Sequence, residues 1–290
     1  MTSKKMLPHS HTFDAIGTSW EISSGRALST ELITTIYETI DEFDRVYSRF
    51  RSDSLVSAVS RQTGYYTFPK SSMAIFDFYK ELYDMSEGRV TPLIGDMLVR
   101  AGYDATYSFR EQPQTELPLW DEVMEWQGSL LHSKKPTSID IGALGKGYLV
   151  DAIAKLLDSY NETEYVIDAS GDLCHKGTST NKVGLEHPTS PDMVIGIVDI
   201  KNKSLCASAS NRRAWGHGMH HIFNPVTKSP VRDIIATWVI ADTTMTADGL
   251  ATALFFVDPK ALHSRYDFQY VRMHADGSLD YSSHFGGELF

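Results

Sequence analysis

The stretch Asp140–Asp151 reads DIGALGKGYLVD. An acidic residue closes a β-like run at Ser138 and Ile139. Gly142, Gly145 and Gly147 follow, with Lys146 between the last two, and an apolar helical pattern begins at once. Glycine allows close approach to the main chain. A helix start after such a loop offers unpaired N–H groups to an anion. A lysine there adds a point charge suited to phosphate. Neither the Gly-x4-Gly-Lys-Ser/Thr spacing nor GxGxxG is present, which sets aside the common nucleotide fingerprints. Two readings stay open from these residues: a loop for a phosphorylated ligand, or a tight strand-to-helix turn with a surface lysine.

Around this stretch, helices and short strands alternate. Thr12–Ser23 reads as one strand interrupted at Ile16-Gly17-Thr18. Ser29 or Thr30 caps a helix whose apolar residues recur from Leu32 to Phe50 at three- and four-residue spacing. A second helix is expected over 71–87, with Gly88 beyond it. Thr91-Pro92 opens a third, with Thr91 as its cap or as a ligand group. Residues 120–141 read as short strands. Tyr165–Ala169 is a strand ending in the small-residue loop Ser170-Gly171-Asp172. Val194–Ile200 and Ser204–Ala207 look like a strand pair joined by Lys201-Asn202-Lys203. Ile234–Ala241 is a strand, 243–256 a helix, and 268–285 a hairpin around Asp276-Gly277.

Composition limits the function. The chain has 290 residues, 42% hydrophobic and 22% charged, with a net charge of −10. That balance argues against general binding to nucleic acid or an anionic membrane. No apolar run is long enough for membrane insertion. The two cysteines, Cys174 and Cys206, have no metal-ligand spacing. With no signal peptide and no lipoprotein cysteine, the expected location is cytoplasmic. Residues 208–231 hold His217, His220 and His221 in a loop-rich segment. A zinc site would need more ligands at metal spacing. Asp248 and Thr252 lie four apart on one helix face. Their oxygens suit a hard cation such as Mg²⁺; the alternative is an aspartate favoured by the helix dipole.

In order along the chain, AIGTSWEI, SRFRSDS, VTPLIG, DIGALGKGYLVD, VIDASGDL, HHIFNPVTKSPV and ATWVIADTTMTADGLATALF resemble the ApbE family, the FAD:protein FMN transferases. The resemblance implies a single α/β (α+β) domain over 1–290. It would be T-fold-like, with mostly antiparallel sheets and packed helices, and residues 1–11 would form a flexible N-terminus. It implies FAD as substrate, Mg²⁺ (or Mn²⁺) as cation, and FMN passed to a threonine hydroxyl of an acceptor flavoprotein, with AMP leaving. By similarity, Ala143 supplies a carbonyl to the metal, and Asp248 and Thr252 supply side-chain oxygens. Asp140 and Lys146 match flavin-binding positions, as do Ile16, Phe50, Thr91, Leu93, Ser170, Gly171 and Ile222. His221 matches the histidine taken as catalytic, with Lys146 and Asp248 beside it in that role. Asn224 and Lys228 depart from the family's aspartate and glycine. An FAD pyrophosphatase using water, or an FAD-binding protein without catalysis, is the alternative.

Overall fold

The computed structural model describes residues 7–290 except 105, 212, 213, 216 and 217, and leaves aside the side chain of 191. Residues 1–6 of the expected flexible N-terminus, and His217, lie outside the described residues. The chain divides into two compact units: 1–40, 146–212 and 232–290 form the first, and 41–145 with 213–231 the second.

The first unit is built on an eight-stranded antiparallel sheet. In sheet order its strands are His9–Ala15, Thr18–Ser24, Tyr165–Asp168, Asp172–Lys176, Ser204–Ala209, Ile234–Ala241, Gln269–His274 and Leu279–Tyr281. A three-stranded sheet, Gly287–Leu289, Ser190–Ile200 and Asn181–His187, accompanies it. Leu185, Ile195 and Val198 from the small sheet share one buried cluster with Leu205, Trp238 and Val271 from the large one. The helices Gly145–Ser159 and Thr244–Ala253 supply further buried apolar residues, among them Leu149, Ile153, Leu250 and Leu254 just past the second.

Three expectations change here. The N-terminal strand begins at His9, inside the segment expected to be flexible. The interrupted strand is a hairpin, with Ala15 opposite Thr18. Ile16 and Gly17 have φ of +45° and +77°, which makes the two-residue turn whose twist suits adjoining strands. Finally, Ser190–Ile200 and Ser204–Ala209 enter different sheets. Their connection is pinned to neighbours: the Asn202 N–H donates to His175 Nδ1 at 3.1 Å, and Gly177 N–H donates to Asn202 Oδ1 at 2.9 Å.

The second unit holds the helices Leu55–Val59, Ser72–Met85 and Gly95–Arg100, and the sheet Gly64–Thr67, Leu130–Ser133, Met124–Gln127. Two ribbons follow, Ala214–Trp215 with Met219–His220 and Phe223–Asn224 with Ser229–Pro230. The approach to Asp140 is irregular chain rather than strand. Its backbone is tied down at separate points: Thr137 N–H donates to Val59 O at 3.4 Å and Asp140 N–H to Pro92 O at 2.7 Å. Thr91 acts as the cap of the short helix Pro92–Ile94, its hydroxyl oxygen accepting from Leu93 N–H at 3.2 Å.

Candidate functional site

In the first unit Ile16, Ser170 and Gly171 lie at the tips of two neighbouring hairpins. The second tip, Ser170-Gly171, repeats the backbone of the first, with φ of +55° and +104°. Ser170 Oγ donates to Ser19 O at 2.7 Å, which joins the two hairpins. Lys146, near the start of the helix Gly145–Ser159, donates through Nζ to Ala169 O at 2.9 Å and lies 3.1 Å from Asp172 Oδ2. Asp172 is only 1% exposed. The lysine is thus engaged with the base of the second turn.

Gly147 explains one glycine of the motif. A Cβ there would stand 2.4 Å from Thr244 O and 2.8 Å from Asp248 Cβ. The residue admits the helix Thr244–Ala253 rather than a ligand. Its N–H donates to Asp248 Oδ2 at 2.9 Å and so fixes the carboxylate. Asp248 is buried at 6% exposure, with Thr252 one turn further along the same helix. Asp151 holds that helix from below: its two oxygens accept from Thr244 N–H at 2.8 Å and Met245 N–H at 2.9 Å. Burial raises the Asp151 carboxyl above its ordinary value despite these donors. One carboxylate oriented by a backbone N–H, with a hydroxyl four residues on, is a donor set of the hard oxygen type that Mg²⁺ takes. Among the described residues, no group of three or more His, Cys, Asp or Glu is placed to hold a metal by itself. A cation here would therefore depend on hydroxyl and main-chain oxygens as well.

In the second unit the partners of Asp140 were not visible in the sequence. Arg49 Nε donates to Asp140 Oδ2 at 2.5 Å, and Arg49 Nη2 donates to Tyr103 O at 2.9 Å. Asp140 Oδ1 accepts from Gly142 N–H at 2.7 Å, the local turn that starts the loop. Tyr79 bridges the same loop, donating to Asp140 O at 3.3 Å and accepting from Ala143 N–H at 3.2 Å. These contacts hold the loop up to the N–H of Ala143, and the next peptide, which carries the Ala143 carbonyl, is tied by Leu144 N–H donating to Ile141 O at 3.2 Å. Arg49 stands 91 residues from Asp140, so no local pattern could announce the pair; its place in the SRFRSDS block was the only hint.

Phe50 is 39% exposed, and its ring stacks on Tyr107 at 5.8 Å with the Arg49 guanidinium 4.2 Å from its centroid. Leu93 and Ile222 are buried, as is Thr91. Of the two adjacent histidines, His220 is buried and its Nε2 lies 2.9 Å from Val231 O. His221 is half-buried beside it. Cysteine chemistry is disfavoured: burial pushes the Cys174 thiol up to about 11 and the Cys206 thiol well above its usual value.

A model described as the ApbE family matches residues 16–270. This chain belongs to the ApbE family. Its relatives include the FAD:protein FMN transferase of Klebsiella pneumoniae (strain 342), 22% identical over 270 residues, covering 84% of this chain and 77% of that protein. The FAD:protein FMN transferase of Haemophilus influenzae is 25% identical over 245 residues, covering 74% and 69%. Among solved structures, the ApbE protein of Thermotoga maritima superposes with a TM-score of 0.83 at 19% identity, over 95% of this chain and 97% of that one. The flavin transferase ApbE from Vibrio cholerae superposes with a TM-score of 0.78 at 20% identity, over 94% and 96%. The mixed fold with mostly antiparallel sheets expected for an ApbE chain is the fold observed. Among the described residues, no helix is long and apolar enough to cross a membrane.

Proposed function

We propose that this ApbE chain is an FAD:protein FMN transferase that passes FMN from FAD to a threonine hydroxyl of an acceptor flavoprotein. The observation that carries the reading is the family match over 16–270. Relatives that bear this name align with most of the chain. The threonine oxygen attacks the phosphorus of the FMN half, the bond from that phosphorus to the bridging oxygen breaks, and AMP leaves with that oxygen. The threonine proton needs an acceptor, and His221 is assigned that part. Ala143, Asp248 and Thr252 are assigned to a divalent cation, Mg²⁺ or Mn²⁺. Bound there, the cation supplies charge neutralisation for the diphosphate. Asp248, held by Gly147 N–H, supports that assignment. A metal-bound aspartate is a poor base, because the cation lowers its proton affinity, and this favours the histidine for proton removal.

Phe50, Ile16, Ser170, Gly171, Thr91, Leu93 and Ile222 are assigned to the flavin nucleotide, with Asp140 and Lys146 shaping its surroundings. The test mixes the protein with FAD, Mg²⁺ and a threonine-containing acceptor peptide. The expected product is a peptide heavier by one FMN, with one AMP released per peptide modified. Fast AMP release with no acceptor would assign water as the nucleophile and make the chain a pyrophosphatase. Retained FAD with no AMP under either condition would overturn catalysis altogether.

A further inference from the structure

The lysine of the glycine loop has an unfavourable address. Lys146 is the second residue of the helix Gly145–Ser159, where the helix dipole disfavours a cation. Asp172 is almost wholly buried, where an isolated carboxylate is costly. Each offsets the other, at 3.1 Å. The same ammonium also holds Ala169 O at 2.9 Å. Ala169 precedes the Ser170-Gly171 turn and Asp172 follows it, and Ala169 N–H donates to Asp172 O at 2.9 Å. The lysine therefore grips both sides of one turn. That turn needs gripping: Ser170 sits at φ +55°, a region that L-residues other than glycine rarely occupy. It also carries the neighbouring hairpin through Ser170 Oγ and Ser19 O.

We propose that Asp172 is a positioning residue that acts through Lys146: the pair fixes the Ser170-Gly171 turn, and Lys146 serves the site through that turn rather than as the countercharge of the substrate's diphosphate. The inference deepens the transferase reading and rests on it for its kinetic consequence. Its structural half stands on the pair alone. The two roles of Lys146 predict opposite behaviour. A countercharge loses FAD binding when Lys146 is neutralised, and keeps or gains it when Asp172 is neutralised, because the ammonium is then released toward the anion. A clamp fails in the same way from either end, and removing both ends does no further harm.

The experiment compares Lys146→Met, Asp172→Asn and the doubly apolar Lys146→Met/Asp172→Leu with wild type. Amide hydrogen exchange over residues 169–172 is read without ligand, and kcat and KM for FAD are read in the transfer assay. All three variants are expected to exchange faster at the turn. All three should lose kcat by a similar factor, on the order of 10²-fold as for a misplaced group, with KM for FAD little changed. The double variant guards against misfolding, because replacing a buried ion pair by apolar groups often preserves stability where breaking it does not. Turn exchange as slow as wild type in a folded variant would overturn the clamp. So would a rise in KM confined to Lys146→Met. If wild type released no AMP from FAD, the transferase reading would fall, and the exchange arm would still decide the clamp.

Discussion

Gly147 and Ile16 bear opposite relations to their surroundings. At Gly147 the space is taken: a methyl group would meet Thr244 O at 2.4 Å, and backbone cannot step aside as a side chain can. Gly147→Ala should cost about 1–3 kcal/mol, as overpacking does, and lower the melting temperature accordingly. Because the displaced helix carries Asp248, transfer should fall further than stability alone explains; an unaltered melting curve would contradict the tight approach. At Ile16 the strain is in the backbone. A β-branched residue at φ +45° is an outlier, and it costs on the order of 1–2 kcal/mol. Asn-Gly is the preferred pair for this turn, so Ile16→Asn should raise stability by about 1 kcal/mol. If the ring of the flavin rests on Ile16, the same change should raise KM for FAD, and calorimetry paired with kinetics separates the two effects. The sequence showed that Gly17 mattered but not that Ile16 shared its conformation. A bulge and a two-residue turn leave the same trace of one glycine between alternating residues.

Among the elements, the helix Thr244–Ala253 shows what local signals can and cannot reveal. Thr243 is a legible cap, and its hydroxyl does accept from Thr246 N–H at 3.2 Å. The cap that does more comes from Asp151, 93 residues earlier in the chain. Nothing near residue 244 announces it. Asp151→Ala should cost about 1–2 kcal/mol, as lost caps do. Its pH dependence has a definite sign. Burial raises the folded pKa above the ordinary 3.8. Such a group gives its full stability below the unfolded value and loses it as pH rises through the folded one. The stability gap between wild type and Asp151→Ala should therefore narrow as pH climbs from about 3.8 through the raised value. Denaturant titrations across that window check it, and a gap that widens would mean the carboxylate is stabilised when charged. The same limit explains the misread strand pair. Lys201-Asn202-Lys203 has turn chemistry, but its partner is His175, and sheet membership is decided by such distant contacts.

For the molecule as a whole, order along the chain proved more informative than any single block. The expected family rested on seven short segments in sequence, and the match over 16–270 agrees with it. Partners such as Arg49 with Asp140, or Lys146 with Asp172, stayed hidden because each pairing is non-local and electrostatic, with no periodicity to betray it. The cation assignment can be examined at this scale without measuring turnover. A ligand that binds only the folded chain stabilises it by about 2.7 kcal/mol at a hundred times its Kd. For a chain of this size that is a rise in melting temperature of roughly 4 °C, taking about 2.1 cal/mol/K of unfolding entropy per residue. With FAD present, Mg²⁺ should produce such a rise in wild type. Asp248→Asn keeps an oxygen that can accept from Gly147 N–H, so its melting temperature without ligands should stay close to wild type. What it lacks is the anionic oxygen a hard cation prefers, so the Mg²⁺-dependent part of the rise should disappear. An equal rise in both proteins would place the cation elsewhere, and would leave the buried carboxylate as a packing device for two helices.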